Sequence, residues 1–440
     1  MYRVSSFVVQ KGKAPLCRKV GCVMRIAIFS ECYTPVPNGV VTSIVNLRET
    51  LRSWGHTVYV FAPGSKQPED DEHIFRLPEL PFPRHPYHFA RPFPPVKTNF
   101  PGLKVDVIHC QHPFVVGNLG AELSEKYNIP MVYTAHSRYD MMAATAKSQM
   151  VRTMVPKAMQ GIVRRFCGRA DYVIAPSKNT RDALREEGIR ARYAVIPSGV
   201  RPPAPRPNAR VDIRKQLGIT PEKPVLLYLG RLGPEKRVDL ILESVAMMKH
   251  IGLPEPLRDF HVILAGDGLC RHDLEMQTTE LGIQNRVTFT GMIPPAEVGN
   301  WYSASDIFVF PSALETQGMV LLEAMTMGLP CVTVNEGGAS EMVVEGETGF
   351  CLPQTCHAFA KSINRLLIDP DLRLKFGEAG RTRAERFTPE AMAERVLEVY
   401  DRAAERPRSP HQSRVKRITL EMRRRRVERL RTRFWDHEED

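Results

Sequence analysis

One pattern constrains this chain more than any other. Short runs rich in Val, Ile and Leu alternate with amphipathic segments, and the alternation runs through the chain twice. Arg25–Ser30, Thr57–Ala62, Asp106–His109, Met131–Thr134 and Tyr172–Ala175 form the first series. Val225–Leu229, His261–Ala265, Val287–Thr290, Ile307–Phe310 and Cys331–Val334 form the second. Near-continuous apolar strands separated by helices indicate a parallel sheet covered on both faces. The spacing of Ile44, Leu47 and Leu51 predicts a helix over Val41–Trp54, closed by Gly55. The chain is thus read as two doubly wound Rossmann-like α/β units of roughly 180 residues each. The expected division is an extension over 1–23, a first domain over 24–200, a proline-rich linker over 201–210, a second domain over 211–386, a C-terminal helix over 387–405 and a basic tail over 406–440.

Charge is needed to judge partners. The net charge of +12 is concentrated at the ends: five Lys/Arg and no acid in 1–23, and twelve Lys/Arg against six acids in 406–440. The body is close to neutral. A nucleic-acid protein carries its basic face on the folded module, so nucleic acid is not an expected partner. The tail, with Arg423 to Arg426 and with Leu420, Val427, Leu430 and Phe434 near one helical face, reads either as a solvated charged helix or as a basic amphipathic helix on anionic lipid. Nine scattered cysteines without a C-x-x-C pair suggest a reducing compartment. No apolar run reaches the roughly 20 residues that span a bilayer. The expected location is cytoplasmic, peripheral on the inner face of the membrane where the tail engages lipid. Met24 directly precedes the first strand, so residues 1–23 are read as an extension. Residues 78–101 hold eight prolines, either a functional insert or a disordered one.

In open parallel sheets, ligands bind beyond the carboxyl ends of the strands, and helix N-termini there attract anions. Two segments answer that description. Glu315-Thr-Gln-Gly-Met-Val-Leu-Leu-Glu323 follows the strand Ile307–Phe310. Gly318 permits close approach, the amides of Gly318, Met319 and Val320 face an anion, and Glu323 lies one turn into the helix, placed for a ribose diol. Gly230-Arg-Leu-Gly-Pro-Glu-Lys236 follows the strand Val225–Leu229 and offers Arg231 and Lys236 to a diphosphate. A Walker A sequence is lacking, and Gly266-Asp-Gly268 lacks the third glycine of a dinucleotide fingerprint. His109, Cys110 and His112 alternate faces on one strand and cannot converge on a metal. Asp369-Pro-Asp371 reads as helix-capping chemistry.

Together the E-x7-E pair Glu315 and Glu323, GRLGPEK, Gly266-Asp-Gly, Pro37-Asn-Gly-Val-Val-Thr-Ser43 and Thr134-Ala-His-Ser-Arg resemble glycosyltransferase family 4, over about 24–404. The resemblance implies the GT-B fold: two Rossmann-like domains facing a cleft, with a C-terminal helix crossing back to the first. It implies retaining, metal-independent transfer of a hexose from a nucleotide-diphosphate sugar, a substrate rather than a cofactor. Arg231 and Lys236 would neutralise the leaving diphosphate, and Glu315 would hold sugar hydroxyls. Glu323 would hold the ribose, Gly318, Met319 and Val320 the sugar and phosphate. Gly39 would approach the phosphate, and His136 the sugar near the reacting centre.

Asn38 to Ser43, Glu315 to Gly318 and Asp106 to Phe114 are similar to bacterial glycolipid synthases, which implies a lipid acceptor such as diacylglycerol. Ser137 stands where those enzymes show Thr, and Pro197-Ser-Gly-Val-Arg201 lacks the family's acid. A soluble or polysaccharide acceptor, a GT-B nucleotide-sugar epimerase, a non-catalytic nucleotide-sugar-binding protein and an oxidoreductase are the competing readings.

Overall fold

The computed structural model describes residues 23–80, 89–91, 99–136, 149–248 and 259–406. The expectations for residues 1–22, most of the proline-rich insert, Ser137 and the tail from 407 lie outside the described residues.

The first sheet holds β1 (Arg25–Phe29), β2 (Thr57–Pro63), β3 (Ile74–Leu77), β6 (Val107–Cys110), β7 (Met131–Thr134), β8 (Tyr172–Ala175) and β9 (Tyr193–Val195), in the order β3-β2-β1-β6-β7-β8-β9, all parallel. A two-stranded antiparallel ribbon of β4 (Glu79–Leu80) and β5 (Phe89–Ala90) lies beside it. The second sheet holds β10 (Val225–Leu229), β11 (His261–Ala265), β12 (Val287–Gly291), β13 (Ile307–Phe310), β14 (Cys331–Val334) and β15 (Gly349–Leu352), in the parallel order β12-β11-β10-β13-β14-β15. Each is doubly wound, and each reverses direction beside its first strand, at β1/β6 and at β10/β13. Ligand crevices open at such reversals.

Edge strands β3, β9 and β15 escaped the sequence reading. They are short and largely half-buried, so they lack the unbroken apolar run that marks a strand covered on both faces.

Period-2 geometry splits β1 between two cores. Ala27 and Phe29 face one side, where Phe29, Phe61 and Phe75 form a stack with centroids 4.6 and 4.8 Å apart. Ile26 and Ile28 face the other, against α1 (Gly39–Ser53) and α12 (Pro389–Ala404). Asn38 caps α1 by accepting from the Val41 amide (2.8 Å). The helix therefore starts two residues before the hydrophobic spacing alone indicates.

The C-terminal helix α12 starts with Thr388 as N-cap and Pro389 in its first turn. Its stripe of Met392, Ala393, Val396, Val399 and Tyr400 is buried on the first sheet, so the chain does cross back. His109 fastens it: Nδ1 meets the Tyr400 hydroxyl at 2.7 Å, and Nε2 meets Thr134 Oγ1 at 2.7 Å. Burial holds that imidazole neutral, pushing its pKa down to about 3.

The remaining helices cover the two sheets: α2 (Val115–Tyr127), α3 (Gln149–Cys167) and α4 (Lys178–Glu186) on the first, and α5 (Ala209–Gln216), α6 (Val238–Met247), α7 (Arg271–Glu280), α8 (Val298–Ser303), α9 (Met319–Thr326), α10 (Cys356–Ile368) and α11 (Pro370–Ala384) on the second. Asp369 Oδ1 accepts from the Leu372 amide (2.9 Å) and Pro370 opens α11, so the Asp-Pro-Asp sequence is a helix cap. No helix among the described residues is long and apolar enough to cross a membrane.

Candidate active site

The site forms where the loops after β10 and β13 meet the first sheet. Pro234–Lys236 turns once as a 3-10 helix and aims Lys236 at Glu315. The ammonium sits against Oε1 of that carboxylate, and the Ser312 hydroxyl donates to the same oxygen (3.1 Å). Both side chains are only about one-fifth exposed, at 20% and 19%. The Lys236 ammonium also lies 5.7 Å from the Phe310 ring centroid.

Arg231 does not join this pair. Its Nη2 donates to Glu235 Oε1 at 2.6 Å and its side chain is 59% exposed. The turn dictates the difference: the Tyr228 hydroxyl donates to the Arg231 carbonyl (2.8 Å), and Glu235 lies one turn on. Beneath it, the Leu232 amide donates to the Asp267 carbonyl (2.9 Å), which stacks the Gly266-Asp-Gly268 turn under the Gly230 turn.

Gly318 adopts a left-handed conformation (φ 85°) and opens α9. Only glycine takes that conformation without penalty. The first-turn amides of Met319 and Val320 have no intrahelical acceptor. Behind them, Glu323 accepts from the fully buried Tyr302 hydroxyl at 3.0 Å. Burial pushes the Glu323 carboxyl up to about 7, and the Tyr302 bond pulls it part of the way back. Tyr302 was not singled out from the sequence. The general rule that a buried tyrosine hydroxyl finds a partner is the signal that could have found it.

The first sheet supplies the opposite wall. A Cβ placed on Gly39 would stand 3.6 Å from Met319 Sδ, so the start of α1 faces the start of α9. His136, after β7, contributes two surfaces. Its carbonyl accepts from Thr316 Oγ1 (3.0 Å), and its ring Nε2 meets Gln111 Oε1 (2.6 Å). Burial, with His112 and His109 nearby, holds the His136 ring well below the usual 6.5.

More contacts tie the two sheets together. Gln317 is buried; its Oε1 accepts from the Ser198 amide (2.7 Å) and its Nε2 donates to the Ser198 carbonyl (2.9 Å). Glu341 accepts from the Lys178 and Asn179 amides at the start of α4 (3.0 and 2.6 Å). Thr180 Oγ1 donates to the Thr316 carbonyl (3.2 Å). On the other side, Gly337 and Gly338 press on the same loop: a Cβ on Gly338 would lie 2.0 Å from the Thr316 carbonyl oxygen. The segment 313–318 is thus clamped between both halves of the molecule.

The structure pairs Lys236 with Glu315 and sets Gly39 against Met319 at the start of α9, with Glu323 just inside that helix and the His136 carbonyl on Thr316 of the Glu315 loop. His109, Cys110 and His112 diverge: His109 lies on Tyr400, Cys110 Sγ faces the Gly117 carbonyl, and His112 Nδ1 accepts from the Glu31 amide (3.2 Å). Among the described residues, no three His, Cys, Asp or Glu side chains gather as a metal site.

Residues 37–202 match the family model described as Glycosyltransferase Family 4, and residues 209–383 the model described as Glycosyl transferases group 1. The chain is 34% identical over 324 residues to the alpha-monoglucosyldiacylglycerol synthase of Streptococcus pneumoniae, covering 70% of each chain. It is 28% identical over 340 residues to the enzyme of that name from Acholeplasma laidlawii, covering 74% of this chain and 84% of that one. The solved structure of sucrose-phosphate synthase from Thermosynechococcus elongatus shares the fold, with a TM-score of 0.69 over 86% of this chain and 98% of that one at 24% identity.

Proposed function

Since the chain belongs to glycosyltransferase family 4 and has the GT-B architecture, we propose that it transfers a glucosyl group from a nucleoside diphosphate sugar to the free hydroxyl of diacylglycerol, with retention at the anomeric carbon and without a metal. The acceptor and the sugar rest on the similarity to the two alpha-monoglucosyldiacylglycerol synthases, 34% and 28% identical to this chain. One observation supports the site assignment: Lys236 pairs with Glu315 in the loop that leads into α9, whose start faces the start of α1.

The diphosphate takes the Lys236 ammonium and the α9 amides, so positive charge stands where negative charge develops as the glycosidic bond breaks. Glu315, freed from Lys236 by the incoming phosphate, accepts from sugar hydroxyls. Glu323 holds the ribose diol. Arg231, exposed and paired with Glu235, swings onto the diphosphate when the donor binds. The acceptor hydroxyl attacks from the face the diphosphate leaves, and a departing phosphate oxygen takes its proton.

The test is a donor panel offered with diacylglycerol, phosphatidylinositol and soluble sugars, read by product mass, with the anomeric configuration of the product determined by NMR. A β-linked product would refute retention. A donor altered without any acceptor would mark an epimerase instead. Peripheral membrane binding through the tail is part of the same proposal. Flotation with liposomes containing anionic lipid should fall when residues 406–440 are removed, and equal flotation by both forms would refute it.

A further inference from the structure

We propose that Gln111 is a positioning residue for His136: its side-chain oxygen holds the imidazole in the Nε2–H tautomer and leaves Nδ1 as the ring's only acceptor. This rests on the placement of His136 beside the transferred sugar.

Gln111 follows β6 at the strand reversal of the first sheet, where its amide donates to the Phe29 carbonyl (2.8 Å). Its side chain is 2% exposed. Oε1 lies 2.6 Å from His136 Nε2. A carboxamide oxygen can only accept, so the proton of the pair belongs to the imidazole, and in the neutral ring Nδ1 then carries the lone pair. Keeping the ring neutral matters as much. The titratable groups facing it are His112, with ring centroids 6.5 Å apart, and His109. Burial pushes both down, His112 to about 4 and His109 to about 3. No carboxylate or cation among the described residues offsets their effect on His136.

The other arm of Gln111, Nε2, has no protein partner among the described residues, and Gln111 lines a cavity of about 20 Å³ with Ser43, Thr134, His136 and Ser198. That is room for one water. Ser43 Oγ already donates to Ser198 Oγ (2.9 Å), so the Ser198 hydroxyl proton and the Gln111 amide protons are both available to such a water. The water would tie Gln111 to Ser198, whose backbone is gripped by Gln317 of the second sheet. Closure of the cleft and the tautomer of His136 would then be linked.

The experiment uses the full-length protein with 15N-labelled histidine, the His136 signals being assigned with a His136→Gln variant. At pH 7.5 the wild type should show the proton on Nε2. Gln111→Leu should populate the Nδ1–H form, and the near-isosteric Gln111→Glu should keep Nε2–H while raising the pH at which the ring takes a second proton. In kinetics, Gln111→Leu should lower kcat about 10- to 100-fold, as loss of a group orienting a site histidine does elsewhere, with donor KM within about twofold. Gln111→Glu should recover most of kcat at alkaline pH and lose it on acidification. A wild-type proton on Nδ1, or a tautomer unchanged in Gln111→Leu, would overturn the proposal. The tautomer needs no substrate, so it stands or falls separately from the assigned transfer reaction.

Discussion

Replacing Glu323 by glutamine should make the protein more stable in alkali and poorer at holding its donor. The carboxyl lies behind the first turn of α9, raised from 4.5 to about 7 mainly by burial. A raised carboxyl favours the native state while it keeps its proton. That contribution is complete below the unfolded value of 4.5 and is lost as pH climbs through 7. Glutamine has no proton to lose and retains an oxygen for the Tyr302 hydroxyl. With those two values, linkage gives a stability advantage of the variant over wild type that grows by about 2.5 kcal/mol between pH 5 and pH 8.5. Paired denaturant titrations at the two pH values measure it. In calorimetry, nucleoside diphosphate binding at pH 8.5 should weaken about 10-fold or more, as expected for a lost charge-assisted hydrogen bond to the ribose. If the stability difference is the same at both pH values, Glu323 is not a buried ionisable carboxyl. If binding is unchanged, it does not hold the ribose.

Three further outcomes follow from the same geometry. Lys236→Met should lower kcat/KM about 100- to 1,000-fold by removing one preorganised charge from the leaving group, with the melting temperature near wild type; turnover within about threefold of wild type would remove Lys236 from the site. Gly338→Ala places a Cβ 2.0 Å from the Thr316 carbonyl oxygen, so the Glu315 loop must move, and a displacement of about 1 Å costs about 100-fold; steady-state rates with circular dichroism to confirm folding test this. Glu341→Gln replaces the anion facing the Lys178 and Asn179 amides with a neutral acceptor, and donor KM should rise about two- to fivefold, as for an exposed contact worth 1 kcal/mol or less, with small-angle scattering reporting a looser particle.

The parts legible in the sequence were those decided by local chemistry. A strand covered on both faces must be an apolar run, and β1, β10 and β13 announce themselves that way. Gly318 and the segment after it announce a helix N-terminus, and α9 begins at Met319. The short edge strands are half-exposed and carry no such signature. The site divides similarly. Lys236 meets Glu315 because each follows a central strand of one sheet and those strands, β10 and β13, are neighbours. Arg231 sits in the same turn, but its direction depends on the Tyr228 hydroxyl and on Glu235, which motif spacing does not weigh. The ring of His136 turns to Gln111, 25 residues earlier in the chain. Gln317 reaches Ser198 across a separation of 119 residues. The first contact depends on the pairing of β6 with β7 in one sheet, the second on how two independently wound sheets come to rest against each other, and no local pattern encodes either.

The doubly gripped segment 313–318 has a consequence for turnover. Its position is shared property of the two halves, so at the proposed donor site occupancy and the width of the cleft would be one coupled variable, each biasing the other by reciprocity. A nucleotide bound at the proposed site would draw the halves together. A swollen product lodged against the first sheet, prising them apart, would in the same motion release the spent nucleotide.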